Sequence, residues 1–214
     1  NGRCVYSFCM CPGGSVVGAT SEEGRVVTNG MSQHSRNERN ANSGLVVNLE
    51  PEDLAPFEAF PGAPLAGVGL QRALEEQAFR LGGSTYAAPA QRLEDFLAGR
   101  PSTSLGAIPA SYQPGIHPGD LSALLPLPIT QALKEALPAF ARKLKGYDHP
   151  DAVITGVETR TSSPVRIPRD GDLESRNVQG LVPAGEGAGY AGGILSAGID
   201  GIRAAEAVAH QLLA

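Results

Sequence analysis

The glycine-rich stretch GLVPAGEGAGYAGGILSAGIDG, residues 180–201, constrains the fold of this chain more than any other feature. We interpret residues 181–184 as a short buried strand that runs through six glycines into a helix. From Leu195 to Leu212, apolar residues recur every three or four positions, so one face of that helix is expected to be buried. The N–H groups of a helix's first turn lack intrahelical partners, and glycines let a ligand approach them closely. The stretch therefore predicts a site for an anionic or polar cofactor.

Within this stretch, Gly187, Gly189 and Gly192 match the G-x-G-x-x-G spacing of a dinucleotide-binding loop. That loop is normally followed by a further strand, whose acidic residue binds a ribose about 20 residues on. Here only the helix follows before Ala214, so we do not assign this loop. Close packing of a helix on a sheet, without a ligand, is a second interpretation. We favour a cofactor, because glycines are costly to order unless something must approach the backbone.

Charge, hydropathy and cysteine content argue against several classes of protein for this chain. The net charge of -5 is a poor match for a nucleic-acid binder, whose affinity comes largely from phosphate neutralisation. No run of about 20 apolar residues is present, so no membrane span is expected. Three cysteines, an odd number, favour a reducing, cytoplasmic compartment over a disulfide framework. Because the sequence starts at Asn1 and enters an apolar alternating stretch almost at once, we expect a fragment of a longer protein.

Residues 1–50 predict a small antiparallel β-sheet. Apolar and polar residues alternate from Val5, Gly13-Gly14 is interpreted as a turn into a second strand, and Glu23-Gly24 as a hairpin turn into a third. The polar segment 31–44 is interpreted as a loop, and a strand follows at 45–49.

Residues 51–150 predict a helical, loop-rich cap. Helices are expected over 68–81, 92–97 and 129–144, and Pro138 should kink or split the last of these. Residues 151–214 return to strands, including a short one at 165–167, and end in the glycine-rich stretch. The predicted class is α+β.

Cysteine and histidine spacing does not predict a metal site. Cys9 and Cys11 share one strand face, which is awkward for a disulfide, and adding Cys4 leaves a zinc site without a fourth ligand. We favour buried, small apolar cysteines, with a thiol near the substrate as the alternative. The histidines are scattered and are expected at the surface or at helix ends: His34, His117, His149 and His210.

Three longer segments, YSFCMCPGG, ETRTSSPVRI and PAGEGAGYAGGI, together with NGMS at 29–32, carry a family resemblance. They resemble the C-terminal part of a largely uncharacterised group of bacterial FAD-dependent dehydrogenases, also described as NAD(P)/FAD-dependent oxidoreductases. The resemblance covers essentially all 214 residues. It implies that the final strand and helix belong to an FAD-binding Rossmann-like domain whose N-terminal half is absent here. The intervening residues would form a substrate or cap domain.

The resemblance also implies roles for individual residues. In related flavoproteins an acidic residue after the last strand bonds the ribityl chain, and the next helix N-terminus faces the flavin pyrimidine oxygen. By position, Glu186 would take the first role, and the amides of Gly192, Gly193 and Ile194 the second. A helix N-terminus stabilises a reduced, anionic flavin by roughly 0.3–1 kcal/mol. The expected cofactor-binding residues are Gly185, Glu186, Gly187, Gly189, Tyr190, Gly192, Gly193, Ile194, Arg160 and Ser163.

A polar cluster precedes the glycine-rich stretch. Glu158, Arg160 and Arg166 surround the residues Thr161 to Pro164. An ion-pair network at a strand end would explain them, and so would contact with flavin or an anionic substrate. Tyr190 could likewise cover a flavin face or simply pack. No catalytic residue is assigned.

The resemblance implies an FAD-dependent oxidoreductase that passes a hydride or electron pair through flavin. Its partners would be the missing N-terminal half of the same protein and a small-molecule substrate. NAD(P)H is a candidate electron donor, and a homo-oligomer is a further option. Two alternatives are a flavin-binding regulatory protein without turnover and a flavin enzyme that modifies RNA, which the acidic balance does not favour. The chain alone is expected to be inactive and to bind FAD weakly or not at all.

Overall fold

The computed structural model describes residues 2–60 and 62–213, which form two compact units. The first unit is Asn1–Thr159 and the second is Arg160–Ala214. We describe each unit by itself. The division into parts at 1–50, 51–150 and 151–214 remains a prediction from the sequence.

An antiparallel sheet opens the first unit, as the alternation over residues 1–50 predicts. Strand β1 (Val5–Gly18) lies between β2 (Thr28–Ser32) and β3 (Asn40–Val47), and both neighbours are antiparallel to it. The turn predicted at Gly13-Gly14 is wrong, because β1 continues through both glycines. Two irregularities in its pairing with β3, between Phe8 and Gly14, insert extra residues that bend the strand without ending it.

The other strand boundaries in this sheet also differ from the prediction. The polar segment predicted as one long loop contains the end of β2 and the start of β3, because backbone pairing with β1 continues beyond the apolar residues. The turn at Glu23-Gly24 is present, but residues 25–27 are not part of the following strand.

A second three-stranded sheet and four helices complete the described residues of the first unit. Strand β4 (Ala88–Arg92) is parallel to β5 (Ile116–Pro118) and antiparallel to β6 (Val153–Thr155). The helices are α1 (Pro51–Leu54), α2 (Ala66–Leu81), α3 (Leu93–Ala98) and α4 (Leu127–Lys143), with 3-10 turns at Ala55–Phe57 and Leu121–Ala123. They enclose an apolar core whose largest fully buried side chains are Phe96, Leu93, Leu121, Val26 and Val27.

The three predicted helices of this unit are confirmed. Helix α2 ends at a glycine pair in which Gly83 has φ +81°, and α3 ends at Gly99, a left-handed cap with φ +70°. Helix α4 continues through Pro138, so the predicted split does not occur. Ile129, Leu133 and Leu137 pack in the core and hold the helix N-terminal to the proline.

The second unit is a loop-rich segment followed by helix α5 (Ile194–Leu213). The strands predicted at 181–184 and 165–167 are wrong, since the described residues there carry no strand. A strand needs a hydrogen-bonded neighbour, and the only described bridge in this unit joins Arg169 and Ser175. Leu181, predicted to be buried, is 43% exposed.

Helix α5 is confirmed, but its apolar face is uncovered. Ile194 is 88% exposed and Leu195 82% exposed, and Ile199, Ile202 and Leu212 are also exposed. The buried residues of the helix are Asp200 and Ala204. Mixed helices and small sheets confirm the α+β class. Among the described residues, no helix combines the length and apolarity needed to cross a membrane.

Candidate functional site

The glycine loop, residues 183–193, directly precedes α5 and contains a tight turn. The amide of Gly189 donates to the carbonyl oxygen of Glu186 at 2.9 Å, and the amide of Tyr190 donates to that of Gly185 at 3.0 Å. At the helix start, the amide of Ala197 donates to the carbonyl oxygen of Gly193 at 2.8 Å. The loop is thus folded by its own backbone bonds.

Two glycines of this loop are required by the chain itself. Gly185 has φ +70° and Gly189 has φ +81°, a left-handed conformation that favours glycine. At Gly189 a side chain would also collide with the backbone of Val165 and Arg166. These two positions are explained by the loop's shape without any ligand.

Three other glycines are not required by the described chain. A Cβ at Gly187 would meet no atom within 4 Å, and one at Gly192 or Gly193 would make only ordinary contact with a serine hydroxyl at 3.5 Å. None of the three has a positive φ. Glycine at these positions leaves open space that a flat or phosphorylated group could occupy.

The same three glycines offer unused hydrogen-bond donors. Among the residues that the structure describes, the amides of Gly187, Gly192 and Gly193 donate to no backbone or side-chain oxygen. Gly192 and Gly193 directly precede a 20-residue helix, whose aligned peptide dipoles leave a partial positive charge at its N-terminus. This donor set suits phosphate or carbonyl oxygens, so the loop fits the electron-rich edges of an FAD molecule.

A buried ion pair that the sequence reasoning missed fastens this loop. Asp200 accepts hydrogen bonds from both terminal nitrogens of Arg169, at 2.9 and 2.6 Å, and from the amide of Gly185 at 2.8 Å. The guanidinium of Arg169 and the Gly185 amide lower the pKa of Asp200 to about 2. The one available signal was Asp200's position as the first charge after the uncharged run 187–199.

Tyr190 is held inside the same arrangement. Its hydroxyl donates to the carbonyl oxygen of Ile167 at 3.0 Å and accepts from the amide of Arg169 at 3.1 Å. The guanidinium carbons of Arg169 and Arg166 lie 3.7 and 4.3 Å from the centre of its ring. In this structure Tyr190 therefore packs within the loop.

The remaining predicted cofactor residues differ in how open they are. The Glu186 side chain is exposed beside Gly187, and Ile194, the first residue of α5, is exposed as well. The Ser163 hydroxyl donates to the carbonyl oxygen of Val165 at 2.9 Å, so it stabilises a local turn. Arg160 is exposed at the start of the second unit.

The predicted polar cluster is divided between the units. Glu158 belongs to the first unit, whereas Arg160 and Arg166 belong to the second. Desolvation raises the pKa of the Glu158 carboxyl, which favours its protonated form more than in water. Next to it, the Thr159 hydroxyl donates to the buried carboxylate of Glu75 at 2.6 Å.

The interpretation of buried cysteines is wrong. Cys9 is exposed and Cys11 is half-buried, and both lie where the pairing of β1 is irregular. Cys4, which precedes β1, is exposed as well. The Cys11 thiol donates to the carbonyl oxygen of Cys9 at 3.2 Å. Partial desolvation, reinforced by the nearby Cys11 and Glu158, raises the pKa of the Cys9 thiol, which does not favour a thiolate nucleophile.

All four histidines are exposed: His34, His117, His149 and His210. Within the described residues, no group of three or more histidine, cysteine, aspartate or glutamate side chains could hold a metal ion.

Comparison with known proteins matches this chain to one family. A family model described as "FAD-dependent protein, C-terminal domain-like" matches residues 1–161 of the 214. The chain is also 54% identical over 210 residues to a protein of Clostridium beijerinckii named only as uncharacterised. That alignment covers 98% of this chain and 38% of the relative, so the chain spans well under half of the relative's length. The family match ends near the boundary between the two units, before the glycine loop.

Proposed function

The chain belongs to the family described as "FAD-dependent protein, C-terminal domain-like", and we propose that it is the C-terminal part of an FAD-dependent oxidoreductase. The observation that carries the proposal is the set of unused amides at Gly187, Gly192 and Gly193, beside glycine positions that the described chain does not itself require. When bound, FAD would accept and release the hydride or electron pair that the protein's own side chains cannot carry.

We assign a role in this site to each predicted cofactor-binding residue. The amides of Gly192, Gly193 and Ile194 would hold the flavin's pyrimidine oxygen, and the positive end of α5 would stabilise negative charge there. Glu186, exposed beside Gly187, would accept a hydrogen bond from the ribityl chain. Gly185 and Gly189 would shape the loop, and Tyr190 would support it. Arg160 keeps its proposed place beside the cofactor, while Ser163 would act through the local turn it stabilises.

The first partner in this proposal is the upstream part of the same protein. The apolar face of α5 is exposed in this chain, and the relative is much longer than the chain. An FAD-binding part supplied by the additional length would cover Ile194, Leu195 and Ile199 and complete the site. A homo-oligomer that buries the same face is the second arrangement. The substrate would be a small molecule bound by the first unit, with NAD(P)H as a candidate electron donor.

We also propose a cytoplasmic location, since all three cysteines are free thiols and two of them are exposed.

The visible absorption spectrum tests the proposal. We expect the full-length protein to purify yellow or to become yellow with added FAD, and this chain alone to bind FAD weakly or not at all. Reduction of the bound flavin by NAD(P)H under anaerobic conditions would support an oxidoreductase. A full-length protein that stays colourless with excess FAD would overturn the proposal. Bound flavin that no nicotinamide or chemical donor reduces would instead indicate a binding protein without turnover.

A further inference from the structure

We propose that Asp200 and Arg169 are positioning residues that hold the glycine loop in its binding shape before the cofactor arrives. The identity of the ligand in this inference rests on the proposed function, whereas the loop geometry does not. Neither residue is expected to touch the reacting atoms.

The two side chains bind the loop backbone on both sides of Ala184. Arg169 donates to the carbonyl oxygen of Pro183 at 2.7 Å, and Asp200 accepts from the amide of Gly185 at 2.8 Å. The side chains also pair with each other through two hydrogen bonds, at 2.9 and 2.6 Å. One paired unit thus connects the loop, the segment that contains Arg169 and the second turn of α5.

The ion pair stabilises a segment that forms no strand in the described chain. Leu181 bonds to the backbone of Ser175 and Val178. The Pro183 carbonyl oxygen instead bonds to a side chain, that of Arg169. Both side chains of the pair are 11% exposed, and bidentate pairing fixes the orientation as well as the distance between them. The Tyr190 ring, stacked on the Arg169 guanidinium, adds a third point of attachment at the other end of the loop.

The turn held by the ion pair includes one of the unused amides, that of Gly187. Gly185 begins the turn that Tyr190 closes, and Gly187 lies within it. If Gly185 moved, the directions of the following amides would change together. The apparent affinity for a ligand falls in proportion to the fraction of molecules whose site has the binding shape. Loss of the ion pair should therefore weaken cofactor binding, because a smaller fraction of molecules would have the loop in its binding shape.

Amide hydrogen exchange tests the geometry without a ligand. In the full-length protein, Asp200→Asn and Arg169→Gln should accelerate exchange at least about tenfold in peptides that cover residues 183–193, because the fraction of open molecules sets the exchange rate. Arg169→Lys keeps the charge but offers one donor nitrogen in place of two, and should restore part of the protection. Asp95→Asn is the matched control, because Asp95 is a buried carboxylate in the first unit that accepts from Arg100 and Ser102, each at 2.7 Å. It should leave exchange in 183–193 unchanged.

Titration with FAD tests the consequence for binding. We expect Asp200→Asn to raise the apparent Kd for FAD about tenfold or more, and Asp95→Asn to leave it unchanged. Unchanged exchange in 183–193 in both Asp200→Asn and Arg169→Gln would overturn the inference. So would faster exchange with wild-type FAD affinity, or an equal loss of affinity in Asp95→Asn. A wild-type protein that binds no FAD would overturn the proposed function, while the exchange experiment would still decide whether the ion pair holds the loop.

Discussion

At the scale of single residues, the glycines of the loop form two groups that differ in why glycine is present. Gly185 and Gly189 are required by their own backbone conformation, with positive φ angles. Gly187, Gly192 and Gly193 have space around them that the described chain leaves open. The sequence shows both kinds as the same letter. The structure separates glycines that shape a turn from glycines that leave room for something to approach.

Substitution of Gly187 and Gly189 by alanine should therefore give opposite results. Gly189→Ala forces a left-handed alanine against the carbonyl oxygen of Val165, which should cost about 1–3 kcal/mol of folding stability. Gly187→Ala should change stability by less than about 0.5 kcal/mol but weaken FAD binding about tenfold, because the new methyl group occupies the approach to the amides. Thermal unfolding and FAD titration of the full-length variants check both. Wild-type FAD affinity in Gly187→Ala would contradict the site.

Asp200 predicts an acid-sensitive second unit. Its pKa is lowered to about 2, mainly by Arg169, with the Gly185 amide and Arg203 adding to the effect. A lowered folded-state pKa adds stability that is fully present above the unfolded value of about 4 and is lost as the pH falls through about 2. The shift corresponds to about 2 kcal/mol. Acid titration followed by hydrogen exchange in residues 183–193 should show protection lost across this range, and Asp200→Asn should be unprotected already at neutral pH.

At the scale of elements, α5 is a helix whose apolar face is exposed among the described residues. Gly198 and Gly201 lie inside the helix, where each glycine costs roughly 0.5–1 kcal/mol relative to alanine. A Cβ at either position would meet nothing within 4 Å. Nothing within the described chain requires glycine at these positions. Glycine would, however, allow another element to pack close to the helix backbone, which agrees with the proposed packing of α5 on the upstream part of the protein.

The effect of alanine at these two positions on stability shows whether another element packs on α5. If α5 packs closely on another element, Gly198→Ala and Gly201→Ala should destabilise the full-length protein by about 1–3 kcal/mol through overpacking. If the face stays open, both changes should instead stabilise it by roughly 0.5–1 kcal/mol through helix propensity. We expect destabilisation, measured as a lower midpoint of chemical denaturation. An exposed position on the side of the helix that faces away from both glycines, His210→Ala, serves as the control.

At the scale of the whole molecule, the two units differ in how their parts are held. The first unit has an apolar core built around Phe96, Leu93 and Leu121, and its residues account for nearly all of the family match. The described second unit has few buried apolar side chains and relies on the Arg169–Asp200 pair and Tyr190. A unit with a small core depends more on what it binds, which agrees with its proposed role at a cofactor shared with an upstream part.

The sequence by itself determined the features that depend on neighbours along the chain. Apolar periodicity predicted α2, α4 and α5, and glycine stops predicted the ends of α2 and α3. Alternation predicted the first sheet, and the glycine run predicted the loop before α5. These signals are local, because backbone geometry and apolar spacing act over a few residues. The α+β class follows from them.

Only the tertiary structure decided the features that depend on distant partners. Arg169 and Asp200 lie 31 residues apart in sequence, and no spacing rule brings them together. The apolar residues 181–184 resemble a strand, but a strand exists only where another strand bonds to it, and no described strand pairs with these residues. Cys9 and Cys11, predicted to be buried, are exposed and half-buried where the pairing of β1 is irregular. In each case the free energy comes from contacts across the fold, which residue order does not encode locally.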